Sequence, residues 1–169
     1  GTSWTFQQRL TASDPGNDLF GCSISLYNNT IAVGARAATE EYANQGSSYV
    51  FFRTGTVWAQ QAKLIIPKTN SFGNSVSLSG DFLLIGAPDT RGYDACGTVA
   101  ISVLGKCYAY KRTGVAWERF MIIEMPGVND GDLFGTAVAI DDQYISIGAR
   151  GVDINGVSGS GKVIFGKLE

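Results

Sequence analysis

The sequence contains no histidine, three cysteines, four prolines and two methionines in 169 residues. The missing imidazole removes the commonest general base and the commonest metal ligand. Charged residues make up 17 % of the chain, the net charge is −2, and no Lys/Arg cluster occurs. Nucleic-acid and anionic-membrane binding therefore lack their electrostatic footprint. No apolar run approaches the length of a membrane span, and no secretory leader reads at the start. A first residue other than Met reads as a processed product or a segment of something longer. The hydrophobic share, 44 %, is that of an ordinary globular domain able to bury a core.

Glycine is plentiful, at 22 residues, and it is placed periodically. Phe20-Gly21, Phe72-Gly73 and Phe134-Gly135 are followed by Gly34-Ala35-Arg36, Gly86-Ala87-Pro88 and Gly148-Ala149-Arg150 at one constant spacing. Each copy continues into an aromatic or aliphatic run opened by Gly46, Gly105 or Gly161, and the first two then reach Trp58 and Trp117. The third copy ends before its tryptophan, while the chain opens on Gly1-Thr2-Ser3-Trp4, the counterpart of Gly55-Thr56-Val57-Trp58. Repeats of this period build propellers, solenoids or arrays whose units bury their faces on neighbours. The approximate units are 1–54, 55–113 and 114–169, with strand 1–10 completing the blade that 161–169 leaves open.

Each unit resolves into four short alternating segments, the signature of strands. Ser23-Ile24-Ser25-Leu26, Ser75-Val76-Ser77-Leu78 and Ala137-Val138-Ala139-Ile140 alternate small with bulky side chains. Tight polar turns follow, and then nearly continuous apolar strands such as Phe82-Leu83-Leu84-Ile85, which predict burial on both faces. An aromatic strand and a Trp-led amphipathic strand complete the unit. The predicted fold is all-β and β-propeller-like: three four-stranded antiparallel blades, one split between the N- and C-terminal strands. The glycines suit close backbone approach near the axis.

On these motifs the chain resembles the FG-GAP repeat family, the blade type of integrin α-subunit propellers and of many surface proteins. The resemblance covers nearly the whole chain and implies an extracellular or cell-surface binding module. Integrin-type blades often carry an Asp-rich calcium loop in the hairpin before Gly-Ala-Pro. Here those hairpins are too short for it, so those calcium sites do not carry over.

Two other loops are acidic, with Asp14 and Asp18 before Phe20 and Asp130 and Asp132 before Phe134. Clustered carboxylates are calcium candidates, and Asp, Asn and Gly equally make plain turns. No cofactor is otherwise required. Cys96 and Cys107 bracket an insertion unique to the second unit and read as a disulfide worth roughly 2–3 kcal/mol, hence an oxidising compartment. Cys22 is left as a buried thiol. Asn28-Asn29-Thr30 is an N-glycosylation sequon on a predicted turn. No acid, base and nucleophile converge, so no enzyme is expected.

The phase-matched ends predict head-to-tail self-association. The strand bearing Trp4, Phe6 and Leu10 adds to the strand bearing Val163 and Phe165 of the next copy, giving a ring or filament. The alternative is a segment of a larger propeller that binds a protein or glycan through its loops. Nucleic acid and membrane insertion are excluded as partners.

Overall fold

The computed structural model describes residues 2–41, 43–67, 69–88, 91–93, 100–102, 104–127 and 129–169, with backbone alone for 91–93 and 100–102. The described residues form strands, turns and extended links, without a helix. The first sheet contains β1 (Ser23–Tyr27), β2 (Thr30–Ala35), β3 (Ser47–Thr54) and β4 (Val57–Leu64), antiparallel and in chain order. The second begins with β5 (Ser75–Ser79) and β6 (Phe82–Ala87). A small hairpin, β7 (Arg91–Tyr93) and β8 (Ala100–Ser102), interrupts it before β9 (Lys106–Thr113) and β10 (Ala116–Ile123) complete the order β10-β9-β6-β5. The third sheet has three strands: β11 (Phe134–Asp141), β12 (Tyr144–Ala149) and β13 (Lys162–Lys167).

The turns obey their residues. The first hairpin of each sheet reverses through a left-handed residue at Asn28, Gly80 or Asp142, with φ of 52°, 58° and 54°. These residue types tolerate that conformation at least cost. Asn28 of the sequon is exposed on such a turn, while Thr30 is buried in β2. The outer pairs share a further irregularity. The ladder of β3 and β4 passes over Gln61, and that of β9 and β10 passes over Phe120, each three residues beyond its Trp. Such bulges bend a strand and raise its twist.

The sheets stack face to face, and the core lies between them. Ala32, Val50, Leu64 and Ile66 from the first sheet side meet Phe72, Leu83, Ile85 and Tyr108 of the second. Leu84, Cys107, Ala109 and Met125 then meet Phe134, Ile145, Ile147 and Ala149 of the third. Alternation along β6 explains this sandwich, since Leu83 and Ile85 point one way and Leu84 the other. A third cluster covers the far face of the first sheet, where Leu10, Ala12 and Phe20 pack on Val33, Ala35, Tyr49 and Phe51.

That third cluster repeats the first in miniature. Phe20 meets Tyr49 edge-on at 5.5 Å and Phe72 meets Tyr108 edge-on at 5.5 Å. The link before the first sheet therefore packs as the link between the first two sheets does. Trp4 to Leu10 join no β-ladder within the single chain. A strand needs an edge to pair with, and the edge its sequence matches belongs to the opposite end of the stack. Instead the Gln8 side chain clips to β4, donating to the Trp58 carbonyl and accepting from its N–H, both at 2.9 Å.

Candidate functional site: the two open ends

Each internal joint between sheets has the same parts. At the first, the Gly73 carbonyl sits over Gly34 so closely that a Cβ there would collide with it. Ser23 Oγ donates to that carbonyl at 2.8 Å. At the second, the Gly135 carbonyl sits over Gly86 and Ser75 Oγ donates to it, again at 2.8 Å. The preceding phenylalanines seat likewise, Phe72 over Gly46 and Phe134 over Gly105. Ser25 Oγ accepts the Leu78 N–H and Ser77 Oγ accepts the Ile140 N–H. The Phe-Gly motif is thus one half of a joint, and the glycines at the two ends of the Gly-Ala strand and its following loop are the other half.

The ends of the stack each carry one half. At Gly148 and Gly161, the third copies of the receiving glycines, an added Cβ would meet nothing closer than 3.6 Å. They line a depression of about 360 Å³ with Thr136, Ala137, Arg150 and Val163. Beside it Tyr144 and Phe165 stack at 5.8 Å on a bare face, with Phe165 74 % and Val163 70 % exposed. At the other end a Cβ placed on Gly21 would meet nothing within 4 Å. Ile24 and Leu26 are 64 % and 63 % exposed, whereas their counterparts Val76 and Leu78 are 7 % and 6 % exposed. Trp4 and Phe6 lie exposed nearby. The sequence singled out Trp4, Phe6, Leu10, Val163 and Phe165 but missed Gly148, Gly161, Gly21, Ile24 and Leu26; the repeat register itself was the signal for them.

The first acidic loop is occupied by the protein's own groups. Lys63 pairs with Asp14 at 2.5 Å and also with Glu40, and the Tyr49 hydroxyl donates to Asp14 at 3.0 Å. The Lys63 bond, opposed by burial and helped by Tyr49, holds the Asp14 carboxyl below its ordinary range. Burial and the Asp14 bond push the Tyr49 hydroxyl up to about 12. Asp18 is partly buried at the next turn, where its carbonyl accepts the Ala37 N–H. Asp130 is exposed, and Asp132 is buried with Oδ2 accepting the Asn129 N–H at 2.6 Å. The donors do not fit calcium at Asp14, where an ammonium already sits. Among the described residues no group of three or more His, Cys, Asp or Glu side chains is placed to hold a metal.

One cysteine differs from expectation. Cys22 is exposed rather than buried, with its Sγ 3.4 Å from the Gly73 carbonyl. Cys107 is a free thiol, buried against the third sheet and pushed up to about 12 by that burial. Its expected partner Cys96 lies outside the described residues.

The repeat geometry agrees with comparison to known families. The model of the FG-GAP repeat matches residues 4–51, 58–101 and 117–163. The chain belongs to the FG-GAP repeat family. Its matches start at Trp4, Trp58 and Trp117, so each FG-GAP unit contains a Trp strand followed by a Phe-Gly strand. In the structure the Trp58 and Trp117 strands each close one sheet, while the strands after Phe72-Gly73 and Phe134-Gly135 open the next. The second and third FG-GAP units therefore each span a joint and tie consecutive blades together. Comparison with curated protein sequences gives no match.

Proposed function

We propose that this FG-GAP chain is a non-catalytic extracellular structural or adhesive protein that self-assembles head to tail by strand complementation. The observation that carries this reading is the third sheet, three-stranded where the other two are four-stranded. The chain's own Trp4–Leu10 segment has the sequence of the absent strand and pairs with nothing in a ladder. The two complete sheets supply the register. Arg53 and Arg112 face Trp58 and Trp117, while Ser48 and Cys107 face Leu64 and Ile123. By the same spacing Trp4 of one copy faces Leu168 of the next, and Leu10 faces Val163. Main-chain hydrogen bonds along an open edge are the usual currency of such additions.

The contact is heterologous, so it closes into a ring or runs on as a filament. Two copies supply six blades, within the range in which propellers close. The family's place in surface proteins supports an extracellular location, and Asn28 is offered there for glycosylation.

The test is the mass of the native particle by light scattering coupled to size exclusion. Assembly is expected above the 18.0 kDa of one chain, and deletion of residues 1–10 is expected to abolish it. In a Cys22→Ser background, the paired substitution Leu10→Cys with Val163→Cys is expected to yield a ladder of covalent oligomers under oxidation, while neither single variant does. A monomer at every concentration overturns the reading and favours a segment of a longer propeller that binds a protein or glycan.

A further inference from the structure

We infer that a second copy of this chain docks its Phe20-Gly21 turn into the seat formed by Gly148 and Gly161, as a third instance of the joint found twice within the chain. This inference rests on the head-to-tail reading but names a different contact, at the inner rather than the outer strands.

The argument is one of matched halves. Leu19, Ser71 and Leu133 all take a left-handed φ, of 55°, 54° and 56°, immediately before the three Phe-Gly pairs. The Gly21 N–H bonds the Gly34 carbonyl, as the Gly73 N–H bonds that of Gly86. The incoming half is therefore already formed at Phe20-Gly21 without a partner to shape it. The receiving half is equally formed, since β12 pairs with β13 from Gly148↔Val163 to Tyr144↔Lys167 as β2 pairs with β3. Docking covers Ile24 and Leu26 on one copy and Val163 and Phe165 on the other. Their exposed area lies on opposite ends of one molecule, which makes the contact self-propagating rather than two-fold.

The third joint also differs from the first two in a definite way. Ser23 and Ser75, which bond the seated carbonyl, have Ala137 as their third copy. Ser25 and Ser77, which accept an N–H across the joint, have Ala139. Two cross-joint hydrogen bonds are thereby absent, so this contact is weaker than the internal ones and depends on concentration.

The decisive variant is Gly148→Ala. A Cβ at Gly148 has open room in the single chain and meets Ala137 Cβ at an ordinary 3.6 Å, yet in the joint it collides with the seated carbonyl. The expected result is an unchanged circular dichroism spectrum and thermal midpoint at dilutions where the chain is single, with loss of assembly by light scattering. Conversely, Ala137→Ser restores a bond and is expected to tighten assembly roughly fivefold, the worth of one neutral hydrogen bond. Assembly of Gly148→Ala at wild-type strength overturns this inference. If Leu10→Cys with Val163→Cys still cross-links in that background, strand complementation stands without the inner joint. If wild type stays single at all concentrations, both fall and another occupant holds the seat.

Discussion

Lys63 at the end of the first sheet reaches back to Asp14, its Nζ 2.5 Å from Oδ2, and so ties β4 to the segment that precedes β1. Tyr49 and Glu40 complete the cluster, with the Tyr49 ring 5.7 Å below the same ammonium. Lys63 loses solvent here, which disfavours its charge, but the two carboxylates more than offset this and hold it above the usual lysine range.

Acid should release that segment. The folded carboxyl of Asp14 lies below its ordinary value of 3.8, so its contribution is complete above that value. It is lost as pH falls through the lower folded value. Hydrogen exchange of residues 11–18, corrected for intrinsic rates, is expected to quicken between about pH 5 and about pH 2. Asp14→Asn should show the fast exchange at both. Because Asp14 is half exposed, added salt should weaken the tie as well.

The inner joints are intolerant of a single methyl group. Gly86→Ala places a Cβ against the Gly135 carbonyl, which is backbone and cannot swing away. A loss of about 3 kcal/mol by urea denaturation is expected, at the upper end of overpacking costs. Gly34→Ala should behave alike, in contrast to the neutral effect on the single chain at Gly148.

Much of this fold was legible because the sequence repeats it. The Phe-Gly and Gly-Ala registers predicted the sheets, and Asn28, Gly80 and Asp142 marked the first hairpins. Asp14 was harder. Read locally it is an acidic turn residue, and its true partners, Tyr49 and Lys63, arrive much later in the chain. Cys22 was read as buried only as the odd cysteine left over, which carries no information on its place in the sheet. The strand at Trp4–Leu10 was legible as a pattern, but pairing belongs to two segments and only one of them is in place.

One buried hydroxyl is a defect that can be repaired. Ser48 Oγ is sealed at the first joint and has no hydrogen-bond partner. The corresponding position in the second sheet is Cys107, which makes no such demand. Ser48→Ala should stabilise the protein by roughly 1 kcal/mol, the cost of an unsatisfied buried group, read from the denaturation midpoint at unchanged slope.

Equivalent phenylalanines should not cost the same. Phe72 is fully buried, and Phe72→Ala is expected to cost about 4 kcal/mol. Phe20 packs on the first sheet but remains part exposed. Phe20→Ala should cost distinctly less in the single chain, and the gap should narrow on assembly, when the same ring is enclosed.

The burial of Cys107 turns the second joint into its own clock. Its sulfur lies in the seam between β9 and the third sheet, neutral at any physiological pH and shut away from reagents. A thiol-specific dye must wait for the seam to part, so slow labelling at Cys107, timed against instant labelling at exposed Cys22, counts how often neighbouring sheets breathe apart.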